Sequence, residues 1–254
     1  MTGLVILKFG GLSLGSPDLI RLAAARIAAW RSRGPEVVAV VSASGHTTDR
    51  ILAWLGAAAG AECSGRESDK ALATGEQLAA ALVAAALSAS DCPAVSLSGA
   101  EAGLRATGGW GAGHLSGFDE RPIRRALAHG VVPVVAGFQA GLESGETVTL
   151  GRGTSDLTAV YLAAQLGADE CHIITDVDGV YTADPRQNSS ARRYQSLSHE
   201  QLVALASGGA SVMQLTAAQA ARDYGVVVRV YHYKSALSGV TGTVIQAEPS
   251  WVPA

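Results

Sequence analysis

Lysine is scarce in this 254-residue chain: Lys8, Lys70 and Lys234 stand against 16 arginines. Any step that needs an ammonium group therefore has few candidates. Lys8 lies just before Gly10-Gly11. Glycines let a backbone approach a phosphate and turn N–H groups toward it, while an ammonium adds a point charge. The spacing is not the G-x-x-x-x-G-K-[ST] of a P-loop, and a plain turn beside a solvated lysine has the same composition. A second candidate is Gly151-Arg152-Gly153-Thr154-Ser155-Asp156. A guanidinium grips a carboxylate through parallel hydrogen bonds. Ser155 reads as a helix N-cap, so the motif joins an arginine to a helix N-terminus, which favours anions; Asp156 would equally complement the helix dipole. The third is Thr175-Asp176-Val177-Asp178-Gly179-Val180-Tyr181, continuing to Asp184-Pro185-Arg186. Carboxylates and a glycine at a strand end, followed by an aromatic and an arginine, suit a nucleotide base and phosphate. D-G and D-P are also ordinary turn dipeptides.

Such residues act only if the fold gathers them. Leu4–Phe9, Val37–Val41 and His172–Thr175 are short apolar runs of buried-strand type. Pro17-Asp18 opens a helix, Thr48-Asp49 caps a short one through Leu55, and Lys70–Ser88 and Ser155–Leu166 are longer ones. Glu62–Asp69 reads as a polar loop, and Gly99–Phe118, with seven glycines, as a loop or hairpin. Gly242–Ile245 is the expected final strand. Strands alternating with helices predict a mostly parallel sheet covered on both faces, in one α/β domain over residues 1–254. Ligands then bind beyond the carboxyl ends of the strands. Gly10-Gly11, Ser42–Gly45, Gly137-Phe138 and Thr175–Asp178 should meet on one edge, with Gly151–Asp156 presenting helix amides.

Composition narrows the classes. The chain is 48% hydrophobic and 16% charged, with mean hydropathy +0.23, which excludes a disordered segment. A net charge of −3 and a pI near 6.1 give no footprint for nucleic acid. Cys63, Cys92 and Cys171 are far apart and show no metal-ligand spacing. Nothing at the start reads as a signal segment, and the longest apolar stretch, Leu78–Leu87, is about half a membrane span. A cytoplasmic protein without membrane contact is expected. His172 reads as a core histidine.

Lys8–Gly11, Ser42–Thr47, Thr74-Gly75-Glu76, the Gly-Arg-Gly segment and the Thr-Asp-Val-Asp-Gly-Val-Tyr segment occur in the order found in aspartokinases. The chain resembles their catalytic domain, within the amino acid kinase family, over nearly its whole length, most specifically from Val148 to Arg186. The resemblance implies an αβα sandwich, with an acceptor-binding half at about residues 1–147 and a half for ATP with magnesium at about 148–254. It implies transfer of the γ-phosphoryl group to the side-chain carboxylate of aspartate. Lys8 and Asp156 would be catalytic, Asp156 orienting Lys8. Gly10, Gly11, Ser42 and Gly45 would receive phosphate. Thr47, Glu76, Arg152 and Ser155 would hold the amino acid, Glu76 by its ammonium and Arg152 by a carboxylate. Thr175, Asp176, Tyr181 and Arg186 would line the nucleotide site.

The chemistry agrees with those residue types. A carboxylate nucleophile has a pKa of about 4 and is already ionised at neutral pH, so the reaction needs positive charge rather than a base. Three positions depart from the family pattern: Ser211 stands where a lysine is usual, Leu12 where serine or threonine is, and Thr154 where glycine is. A related acceptor, or a non-catalytic binding subunit, is the alternative reading. The family also implies a homodimer. Aspartokinases usually continue into ACT domains, whereas this sequence stops at Ala254, so feedback through an attached ACT pair is not expected; a separate regulatory chain is the alternative.

Overall fold

A computed structural model describes residues 3–60, 65–183, 188–208, 213–235 and 242–247. The main sheet contains β1 (Leu4–Phe9), β2 (Glu36–Val41), β3 (Ala94–Leu97), β6 (Val132–Ala136), β9 (Glu170–Thr175), β10 (Ser196–Ser198), β11 (Val228–His232) and β12 (Thr243–Gln246). A smaller sheet is built from β4 (Leu104–Gly109), β5 (Ala112–Phe118), β7 (Gln139–Gly141) and β8 (Thr147–Thr149). The main sheet runs β10-β12-β11-β9-β1-β2-β6-β3 and is parallel except where β11 meets β12. β1 therefore lies between β2 and β9, parallel to both, where the chain winds away in both directions. At such a switch point a crevice opens beyond the carboxyl ends of the strands. Lys8 is the penultimate residue of β1.

Strand alternation decides which way Lys8 faces. Successive side chains of a strand point to opposite faces. Val5, Leu7 and Phe9 join Val37, Ala39 and Val41 in a core closed by α1 (Pro17–Arg31) and α3 (Arg66–Ser88). Leu4 and Ile6 join Val38 and Val40 in the opposite core, closed by α5 (Ser155–Leu166) and α7 (Leu215–Tyr224). Lys8 shares the parity of Leu4 and Ile6, so its ammonium is delivered to the α5 side. The other helices are α2 (Thr47–Ala59), α4 (Arg121–Ala128) and α6 (His199–Ser207).

Local signals explain most boundaries. Ser16 accepts from the Leu19 N–H and Pro17 occupies the first turn of α1, both good helix starts. α5 is buried nearly all round and stops at Gly167 in the left-handed conformation, φ 66°. α3 is long and apolar enough to cross a membrane by length and composition, yet Ala79, Ala80, Val83 and Leu87 pack into the core. His172 is buried between the rings of Trp30 and Tyr231.

Some expected boundaries move. Arg66–Asp69 is the first turn of α3 and not a loop; its acids Glu67 and Asp69 suit a helix N-terminus. α2 begins at Thr47 after His46, without a side-chain cap, and continues past Leu55 to Ala59 on residues that favour helix. Gly99–Phe118 takes the hairpin form. Ser155 is not an N-cap: that position belongs to Thr154, whose hydroxyl donates to Gly151 O at 2.7 Å. Arg186, Ser211 and Cys63 lie outside the described residues.

Candidate active site

At the carboxyl rim of the sheet, Lys8 Nζ meets Asp156 Oδ1 at 2.6 Å, with both side chains about nine-tenths buried. Sheet and helix supply one residue each: alternation on β1 directs Lys8, and the second position of α5 directs Asp156. A β-carbon placed on Gly10 would lie 3.7 Å from both Lys8 Nζ and Thr175 Oγ1, so the turn after β1 separates the ammonium from the end of β9 by one glycine.

The neighbouring turn is tighter. A β-carbon on Gly11 would lie 2.6 Å from Ala43 O and 3.2 Å from Gly45 O, because the turns after β1 and β2 touch there. Gly11→Ala is expected to lower stability by about 2–3 kcal/mol through overpacking. Gly10→Ala, whose nearest contact is 3.6 Å, should be near neutral. Comparing the two melting transitions checks this; equal transitions would show that the loop contact is not as drawn.

The amides of two of the glycines expected to receive phosphate have partners within the protein. The Gly10 N–H donates to Ile174 O at 2.9 Å and the Gly45 N–H to Gly11 O at 2.8 Å, so neither amide is aimed at a ligand. Gly11 opens a 3-10 turn, where an N–H has no acceptor within the helix. Ser13 Oγ donates to Gly10 O at 2.6 Å and holds that turn closed.

Beside the ion pair is a cavity of about 360 Å³ whose wall includes Gly11, Ser42, Asp49, Glu76, Arg152 and Ser155. Glu76 projects from α3 and is 4% exposed. Its Oε1 accepts from the Ala43 N–H at 3.0 Å, while Oε2 is buried and without a hydrogen-bond partner among the described residues. Burial pushes this carboxyl up to about 7, against the pull of the Ala43 amide and the Lys8 charge. Gly75 makes room for the arrangement: a β-carbon there would lie 3.0 Å from the Ala43 Cβ. Arg152 reaches the wall from the loop before α5, where its Nη2 donates to Asp49 Oδ1 at 2.6 Å.

Other expected residues are placed less directly. Thr47 is absent from the cavity wall and Thr48 is on it; the Thr47 hydroxyl donates to Ser44 O at 2.7 Å and accepts from Arg50 at 2.9 Å. The Ser155 side chain packs on Gly137, whose added β-carbon would fall 2.8 Å from Ser155 Cβ. Leu12 and Thr154 do not reach the cavity wall: Leu12 is exposed and Thr154 bonds its own loop. At the end of β9, Thr175 Oγ1 donates to Asp176 Oδ1 at 3.1 Å, and farther on the Tyr181 hydroxyl donates to Asp178 Oδ1 at 2.7 Å. Arg193 Nη1 donates to Asp178 Oδ2 at 2.8 Å, fixing that carboxylate from a second side.

Three acids outside the expected site assignments have roles here. Asp49 pairs with Arg152, Asp178 holds Tyr181, and Asp69 accepts from Thr149 N–H, Thr149 Oγ1 and Gly111 N–H within 2.9 Å. Asp69 thereby ties α3 to β8 and the tip of the β4–β5 hairpin. Asp178 has a local signal within the Thr-Asp-Val-Asp-Gly motif and Asp49 one beside a helix start; Asp69 has none.

The model of the amino acid kinase family matches residues 3–232. Aspartokinase 2 of Bacillus subtilis is 42% identical over 248 residues, covering 98% of this chain and 60% of the relative. An aspartokinase of Corynebacterium efficiens is 42% identical over 251 residues, covering 98% and 59%. The chain thus spans about 60% of the length of these curated relatives. Among solved structures, aspartate kinase from Synechocystis superposes with a TM-score of 0.83 at 36% identity, covering 99% of this chain and 41% of that one. The fold is shared with E. coli aspartokinase III in complex with aspartate and ADP, TM-score 0.82 at 24% identity, covering 97% and 65%. It is also shared with a UMP kinase from Bacillus anthracis, TM-score 0.72 at 19% identity, covering 97% of each chain.

Proposed function

The chain belongs to the amino acid kinase family, and from that premise we propose that it transfers the γ-phosphoryl group of ATP to the side-chain carboxylate of L-aspartate, giving 4-phospho-L-aspartate and ADP. The observation that carries this reading is that one cavity wall holds both Arg152 and Glu76, a buried acid with one carboxylate oxygen unpartnered among the described residues. Glu76 suits an ammonium and Arg152 suits a carboxylate, so the cavity complements the two charges of an amino acid. The aspartokinases at about 42% identity support aspartate over other acceptors.

Lys8 lies where two anions must approach each other. Its ammonium lowers their repulsion, and Asp156 fixes its direction before substrate arrives. Charge stabilisation of that kind is the main protein contribution to phosphoryl transfer. The acceptor needs no base, because its carboxylate is ionised at neutral pH.

Thr175 ends β9, Asp176 and Tyr181 come after it in the chain, and these three would receive the nucleotide, with Arg186 proposed alongside them. Among the described residues no three acidic, histidine or cysteine side chains converge as a metal site. Magnesium is usually carried mainly on nucleotide phosphates with one or two protein carboxylates, and Asp176 is the carboxylate proposed here. Magnesium bound there would neutralise phosphate charge.

The test is ADP formation that depends on both L-aspartate and magnesium, with the acyl phosphate trapped as the hydroxamate by hydroxylamine. A panel of amino and carboxylic acids run in parallel checks the acceptor. Turnover more than tenfold faster in kcat/KM with another acid, or none with any, would remove the assignment.

A further inference from the structure

Arg152 is the one cation among the described residues that line the cavity, and a carboxylate of the protein already holds it. Asp49 Oδ1 lies 2.6 Å from Arg152 Nη2, although the two residues are 103 positions apart, and both line the same space. The side chains are 62% and 67% exposed, so water reaches the pair and exchange is open.

We propose that Asp49 is a resident competitor: it occupies the acceptor's carboxylate seat on Arg152 and yields it when substrate binds, which sets how tightly acceptors are held. The proposal rests on the reading of this cavity as the acceptor site. Asp49 has places to go when displaced. It stands in the first turn of α2, where unpaired amides favour a negative charge, and its Oδ2 is 3.7 Å from His46 Nδ1. Glu76 is separated from this exchange because its Oε1 is committed to Ala43. The ammonium end of an acceptor can therefore dock while the carboxylate end competes with Asp49. An acceptor that presents two parallel oxygens to the guanidinium has the advantage over Asp49, which engages Nη2 through one oxygen.

The experiment uses the full chain labelled with ¹⁵N-arginine, with the Arg152 side-chain resonance assigned through Arg152→Lys. Acetate, a carboxylate without an ammonium, is titrated into the parent protein, Asp49→Asn and Asp49→Ala. An exposed ion pair is weak, so both variants should reach half-saturation at roughly two- to fivefold lower acetate. The same shift is expected in the L-aspartate Kd by calorimetry. Equal or weaker acetate binding by the variants overturns the proposal, since Asp49 would then be a bystander or a support for Arg152. If acetate behaves as expected while L-aspartate binds no better than acetate, the competitor stands and the aspartate assignment falls.

Discussion

Replacing Lys8 with alanine is expected to lower ADP formation by ~10²–10³-fold, the loss typical when one preorganised donor to a transition-state charge is removed. The same change leaves Asp156, 8% exposed, as an unpaired buried charge, which destabilises by about 3–5 kcal/mol. Rate and fold would then fail together and could not be told apart. Lys8→Ala combined with Asp156→Asn separates them, because the neutral amide removes the stranded charge. The double variant should recover most of the melting temperature and none of the rate. A double variant with near-parent turnover would remove Lys8 from the chemistry and leave the ion pair as a packing feature.

Glu76→Gln should make the protein more stable and bind its acceptor worse. The Glu76 carboxyl sits at about 7 in the folded chain, against 4.5 for the free group. The unfolded state therefore loses its proton first, and folding becomes less favourable as pH climbs from about 4.5 to about 7, with the full penalty present above that. The difference corresponds to roughly 3 kcal/mol at most. Glutamine keeps an oxygen for the Ala43 amide and carries no charge. In urea unfolding the variant should match the parent at pH 4.5 and exceed it at pH 8. Binding moves the other way: losing a charged partner for the ammonium should weaken L-aspartate by ~10–10²-fold. Parent affinity should also strengthen as pH rises through about 7, while the variant stays flat. An unchanged Kd in Glu76→Gln would show that the buried oxygen does not face the ligand.

These two predictions draw on different kinds of information. The Lys8–Asp156 contact is legible in the sequence, given the family resemblance and two short-range rules. A strand of alternating faces sends residue 8 where Leu4 and Ile6 go, and a Gly-rich loop before a helix leaves Asp156 in its first turn. Residues near each other on one element share a direction, so spacing alone carries the geometry. The same local logic misplaces Ser155 as a cap, because Thr154 is equally able to fill that position and the choice is made by the loop path from Gly151. It also does not reveal the partners of the Gly10 and Gly45 amides. Glycine signals that a backbone can come close to something, and here that something is Ile174 in the next strand and Gly11 in the next turn.

Sequence by itself determined the alternation of strands and helices, the chemistry-bearing turns at the strand ends, a short choice of three lysines, and through the motif order the family. Tertiary structure alone decided which charges meet. Asp49 joins Arg152 across 103 positions and Asp69 joins Thr149 across 80, and periodicity holds no record of a partner on another element. The ionisation of Glu76 was settled in the same way, since a carboxyl's affinity for its proton depends on how much water the packed neighbours exclude, which no run of adjacent residues encodes.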